Sequence, residues 1–120
     1  MTPHYSEANL VNILDLKDIN PYTFPAGAEL DEIIHRRIFG KKSIEGGLPK
    51  YSLDPEESAR LRARLKSMYG HPIVFGRTRI PGRTYFARYD SDPSTATEVV
   101  AATEPLATCR LALLLIRRSE

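Results

Sequence analysis

The chain is poor in the residues that most protein chemistry uses. It has one cysteine, Cys109, so no internal disulfide can form. Cys109 stands in an apolar stretch, where a thiol is a small buried hydrophobe with a raised pKa and little reactivity. A lone thiol also fits a reducing compartment. The three histidines, His4, His35 and His71, are scattered, and no His/Cys/Asp group has metal-ligand spacing. No Gly-x-Ser-x-Gly is present, and Gly46-Gly47 lacks the preceding strand and following Lys-Ser/Thr of a phosphate loop. These absences set an expectation of no catalytic residues, no cofactor and no metal, hence a non-enzymatic protein.

Long apolar runs are missing too. The longest, Leu111–Ile116, is far short of the roughly 20 residues that span a bilayer. The start, Met-Thr-Pro-His-Tyr-Ser-Glu, lacks a basic segment leading into an apolar one, so no signal peptide is expected. Together these point to a cytoplasmic protein without a membrane partner. Excess charge is small: 17 Lys and Arg against 15 Asp and Glu leave +2. A pI near 8.8 falls below that of a dedicated nucleic-acid domain.

What the chain does have is an ordinary globular composition, 42% hydrophobic and 27% charged over 120 residues. That suffices for one core in one domain. Residues 1–27 read as an N-terminal arm, either weakly structured or packed on the domain. It contains Leu10, Val11, Ile13, Leu14, Leu16 and Ile19, then breaks at Asn20-Pro21 and Pro25-Ala-Gly27. Residues 28–120 read as the domain.

Within it, the first helix is expected over Ala28–Phe39, with Leu30, Ile33, Ile34 and Ile38 on one face and Gly40 as its stop. Lys41–Tyr51 reads as a loop. A second helix opens at Asp54-Pro55-Glu56-Glu57, where a side-chain cap, a proline at N1 and two acids coincide. Its core stripe is Leu61, Leu65 and Met68, and Gly70 ends it. Three strands follow, Pro72–Ile80, Arg83–Tyr89 and Thr95–Ala102, divided by turns at Pro81-Gly82 and Asp90–Ser94. In the second strand Tyr85, Ala87 and Tyr89 face one way and Thr84, Phe86 and Arg88 the other. The last helix opens at Thr103-Glu-Pro105 and closes at Arg117-Arg118. Its apolar stripe is so wide that it must be covered on most sides. The order α-α-β-β-β-α gives an α+β, sandwich-like fold, a three-stranded antiparallel sheet packed with helices.

Three segments carry a family resemblance. They are residues 26–40, with Leu30-Asp31 and the final Gly40; residues 49–61, with Tyr51-Ser-x-Asp54 leading into a capped helix; and residues 102–113, with Pro105-Leu-Ala-x-Cys-Arg110. In this order they resemble the phage ABA sandwich domain family, small proteins of tailed phages and prophages. The match covers roughly residues 26–116. The absence of tryptophan is a departure from that family. The resemblance implies a fold and a phage origin, and so the host cytoplasm, but no activity. In physical terms, Tyr51 should pack back on the second helix and Arg110 should snorkel to a rim.

Most polar candidates have a structural explanation. His35 borders an apolar stripe. Asp31, Glu32, Glu56 and Glu57 serve helix N-termini. The arginines stay ambiguous. Arg60, Arg62, Arg64 and Lys66 decorate the second helix, and Arg77, Arg79, Arg83 and Arg88 share the hairpin with Phe75, Tyr85, Phe86 and Tyr89. They suit a solvated face, a protein interface anchored by Tyr and Arg, or single-stranded nucleic acid held by stacking and phosphate contacts. The reading chosen is a phage-encoded binder of a host or phage protein, in its finer form an inhibitor of a host defence complex. The alternative is a nucleic-acid-binding accessory protein. Arg77, Arg79, Tyr85 and Tyr89, with Lys41, Lys42 and Lys50, are the interface candidates. A three-stranded sheet also has two edges through which a homodimer could form.

Overall fold

The structure, a computed structural model, describes residues 19–40, 47–89 and 97–119. Within them the expected order holds: α1 (Ala28–Arg37), α2 (Pro55–Tyr69), β1 (Ile73–Ile80), β2 (Arg83–Tyr89), β3 (Thr97–Ala101) and α3 (Glu104–Ser119). Helix α1 ends two residues before the expected Phe39, with Ile38 donating its N–H to Ile34 O at 2.8 Å. Its apolar face, Leu30, Ile33, Ile34 and Ile38, is fully buried. Helix α2 starts as expected, Asp54 Oδ1 accepting the Glu56 N–H at 2.9 Å with Pro55 in the first turn.

Met68 departs from its expected place in the core and is 41% exposed. Leu61 and Leu65 do face inward, but Tyr69, four residues after Leu65, takes the next inward position. Its ring meets Tyr89 edge-on, with centroids 6.1 Å apart.

The sheet is antiparallel throughout, in the order β1-β2-β3. Pro81-Gly82 joins β1 to β2, and Gly82 has φ 73°, the left-handed conformation that the turn demands. Such a turn splays twisted strands, and the ladder slips beside it. Thr78 and Arg79 together stand opposite Thr84, between the pairs Arg77–Tyr85 and Ile80–Arg83. The alternation of β2 is as expected, with Ala87 and Tyr89 buried and Tyr85 packed against the core. Thr97, Val99 and Ala101 of β3 join them. The Asp90–Ser94 turn lies outside the described residues.

Helix α3 lies at the centre. Thr103 Oγ1 caps it, accepting the Leu106 N–H at 3.3 Å. From Leu106 to Ile116 every residue but Arg110 is buried. The sheet covers one side of α3, chiefly through β2 and β3, and α1 and α2 cover others. The segment before α1 closes a further side. Ile19 is buried, Arg117 donates to Ile19 O at 3.4 Å, and Arg110 donates from Nε to Phe24 O at 2.9 Å. Ile19 and Phe24 of the expected arm are thus held against α3; residues 1–18 lie outside the described residues. Among the described residues no helix covers the outer sheet face, which carries Val74, Phe86, Arg88, Glu98 and Val100.

Candidate functional site

The hairpin brings two of the expected interface residues together. Arg77 and Tyr85 are cross-strand partners. Arg77 donates from NH2 to the Tyr85 hydroxyl at 3.2 Å, and its guanidinium lies 5.5 Å from the ring centroid. Arg79, in the bulge, is exposed. Tyr89 does not join them, and its expected interface role is corrected by its burial. It sits at the other end of the same sheet face, 7% exposed, with its hydroxyl donating to Tyr69 O at 2.6 Å. Pairing with Ile73 at the start of β1 sets it over the helices. Lys50 is exposed beside the α1–α2 junction, while Lys41 and Lys42 lie outside the described residues.

Three cations of α2 work within the molecule. Arg60 bonds Glu57 at 2.6 Å and lies 5.8 Å from the Phe39 centroid. Arg64 donates from Nε to Ile38 O at 3.1 Å, satisfying a carbonyl at the end of α1. Arg62 pairs with Glu104. Arg88 lies 3.7 Å from Glu98 across the sheet. Phosphate contact needs a concentrated positive field, and these cations already have anionic or carbonyl partners.

Sequence reasoning missed the most structured part of the surface. Glu104 gathers side chains of α2 and α3: it accepts from the Ser58 hydroxyl at 3.1 Å, from Thr108 Oγ1 at 2.7 Å and from Arg62. Ser58 and Thr108 are fully buried. The Arg62 guanidinium held there lies 3.9 Å from the Phe75 ring centroid, yet Phe75 is 48% exposed. Met68 and Val74, at 41% and 38%, are exposed apolar side chains elsewhere, Val74 on the opposite face of the sheet. The Glu104–Thr108 spacing of four residues was a signal for part of this cluster. Nothing in the sequence marked β1 as an outer strand.

The residues that carry the family resemblance form a clasp between α1 and the α2 lead-in. Ser52 donates its N–H to Asp31 Oδ1 at 2.8 Å, and Ser52 Oγ accepts the Gly27 N–H at 3.0 Å. Asp31 is therefore more than a first-turn charge. Burial raises its pKa, and hydrogen bonds from Ser52 offset part of that rise. Tyr51 packs on the end of α1 and also feels the charges of Arg60 and Glu57 on α2. Its ring stacks on Phe39 at 5.0 Å, and its hydroxyl lies 2.9 Å from His35 Nδ1. Burial pushes the Tyr51 phenol up to about 12. Burial, then the charges of Asp31 and Glu104, raise the Cys109 thiol well above its ordinary value.

Two open clefts lie near these groups. One, of about 270 Å³, is lined by Tyr22, Thr23, Gly82, Ala101, Ala102, Leu106 and Arg110. Arg110, partly exposed in that lining, donates to the Phe24 and Val100 carbonyls. The other, of about 220 Å³, lies between Tyr69, Tyr89, Leu115 and Arg118. Among the described residues, no three His, Cys, Asp or Glu side chains gather as metal ligands, and no helix is long and apolar enough to cross a membrane.

With this geometry, the chain is similar to a known structure. A phage protein from Bacillus cereus ATCC 14579, solved by crystallography at 2.0 Å, superposes with a TM-score of 0.56 at 23% identity. The match covers 77% of this chain and 94% of that one. The shared property is the fold. No protein-family model matches the chain, and no curated protein does either.

Proposed function

We propose that this is a phage-encoded protein, of the ABA sandwich kind, that acts by binding another protein rather than by catalysis. The observation that carries the reading is a fold shared with a phage protein over 94% of that protein's length. Its support is the work already assigned to the reactive groups. Cys109 is sealed in α3, His35 meets Tyr51, Asp31 holds Ser52, and Glu104 ties two helices. Exposed surface instead offers aromatics and cations, Phe75, Arg77 and Arg79, of the types that anchor protein interfaces. The finer form of the proposal is a target within a bacterial defence complex.

Affinity capture from nuclease-treated host lysate tests the first statement. One host protein complex should be retained, and recovery that vanishes with nuclease would transfer the reading to nucleic acid. The finer statement is tested by plating phage on host strains that carry single defence systems. Expression of this chain should restore plating on at least one; unchanged plating on every strain would refute it.

A further inference from the structure

We propose that the outer edge of β1 over Ile73–Arg77 takes up an extended, acidic–apolar segment of the partner protein as a fourth strand. This rests on the protein-binding reading and locates it. β1 pairs with β2 on one side, and no described strand pairs with the other. A bare edge presents a row of backbone donors and acceptors, and strand addition is a recurring use of such an edge. Proteins usually blunt exposed edges with inward charges, proline or bulges. Here the bulge sits at the turn end, at Thr78 and Arg79, and Pro72 lies before the strand, leaving Ile73–Arg77 in regular register with Arg77 as its one charge.

The side chains beside that edge are set for a partner. Phe75 is 48% exposed but lies against a guanidinium at 3.9 Å, itself fixed through Glu104 to the buried Ser58 and Thr108. Binding would therefore order little that is not already ordered, which favours affinity. Arg77, two residues along on the same face, is held by Tyr85. Every charged residue in β1 is positive, Arg77 and Arg79.

Charge selects the occupant. A second copy pairing antiparallel about Phe75 would set each Arg77 opposite Ile73 and supply no acid. A foreign strand with Asp or Glu opposite Arg77 and an apolar residue opposite Phe75 satisfies both. Read from its N-terminus in an antiparallel pairing, that segment has an acid, any residue, then an apolar residue.

The probe is an acetylated, amidated nonapeptide, Thr-Ser-Glu-Thr-Val-Thr-Val-Thr-Ser, titrated at up to millimolar concentration and followed by amide shifts and exchange. Shifts and slowed exchange confined to Ile73–Arg77 are expected. Replacing the peptide's Glu by Lys should weaken binding at least about threefold, the scale of one cross-strand ion pair. Arg77→Glu, at an exposed position, should reverse that preference. No shift at Ile73–Arg77, a shift elsewhere, or the same response to a thymidine oligonucleotide would overturn the proposal. So would a dimer in sedimentation that Phe75→Asp abolishes. Capture separates this failure from that of the binding reading. A target held equally by wild type and by Phe75→Ala/Arg77→Glu removes the edge and keeps the binder. A wild type that captures no protein removes both.

Discussion

Asp31 shows how one residue changes meaning between sequence and structure. At the start of α1 it reads as a dipole-matched acid. Folded, it is 2% exposed and holds the Ser52 N–H that ties the two helices' approaches together. Asp31→Ala leaves that N–H without its acceptor and should cost about 1–3 kcal/mol, measured by urea unfolding. The pH dependence has a definite sign. The folded carboxyl has a pKa above its ordinary 3.8, so the folded chain binds a proton more readily than the unfolded one. The ionised group is thus a burden above its folded pKa, and the burden lifts as pH falls through that value toward 3.8. Relative to Asp31→Asn, the wild type should gain stability between neutral and mildly acidic pH. A constant difference across that range would show that Asp31 titrates alike in both states.

At the scale of elements, the sheet and the α2–α3 pair each depend on one close fit. A Cβ on Gly76 would lie 3.0 Å from Phe86 Cε1 and 3.2 Å from Cζ, because the Phe86 ring crosses its cross-strand partner. Gly76→Ala should therefore destabilise the wild type by about 1 kcal/mol. In a Phe86→Ala background the clash is gone, and the same change should stabilise by roughly 0.5–1 kcal/mol through lost chain entropy. A double-mutant cycle by denaturant unfolding checks the reversal of sign. Between the helices, Arg62 and Glu104 each have 16% of the side chain exposed. Arg62→Ala leaves the carboxylate with only the Ser58 and Thr108 hydroxyls, and about 1–3 kcal/mol is expected for losing its charged partner. Arg62→Met/Glu104→Gln should cost less than the two single changes added together. Additive thermal shifts would mean the pair is not coupled.

For the whole molecule, α3 is the piece that the rest is arranged to cover. Sheet, α1, α2 and the strap of residues 19–24 surround it, and the strap is fixed by Arg110 and Arg117 through the Phe24 and Ile19 carbonyls. A chain shortened to begin after Phe24 loses those two acceptors and the buried Ile19 side chain, the latter about 1.5–3 kcal/mol of burial. Its Tm by circular dichroism should fall clearly below that of the full chain. An unchanged Tm would show that the strap is not part of the cooperative unit.

The elements were legible because their signals are local. Asp54-Pro55 and Gly70 bound α2, Pro81-Gly82 turns the hairpin, the alternation from Thr84 to Tyr89 gives β2 its two faces, and the breadth of apolar residues in α3 requires a central position. Each depends on a few neighbouring residues and on backbone or solvation preferences that act within a turn or two. Where the side chains meet is decided by packing across the chain. Ser52 reaches Asp31 over 21 positions, Arg62 reaches Glu104 over 42, and Arg110 reaches Phe24 over 86. No local pattern encodes those distances. That is why Tyr89 went to the core, why three arginines of α2 went to partners, and why β1 was left as an edge among the described strands with Phe75 beside it. Local signals in the chain set which segments are helix and strand and which faces are apolar. Which polar groups are consumed in holding the fold, and which stay at the surface, depends on contacts between segments far apart in the chain.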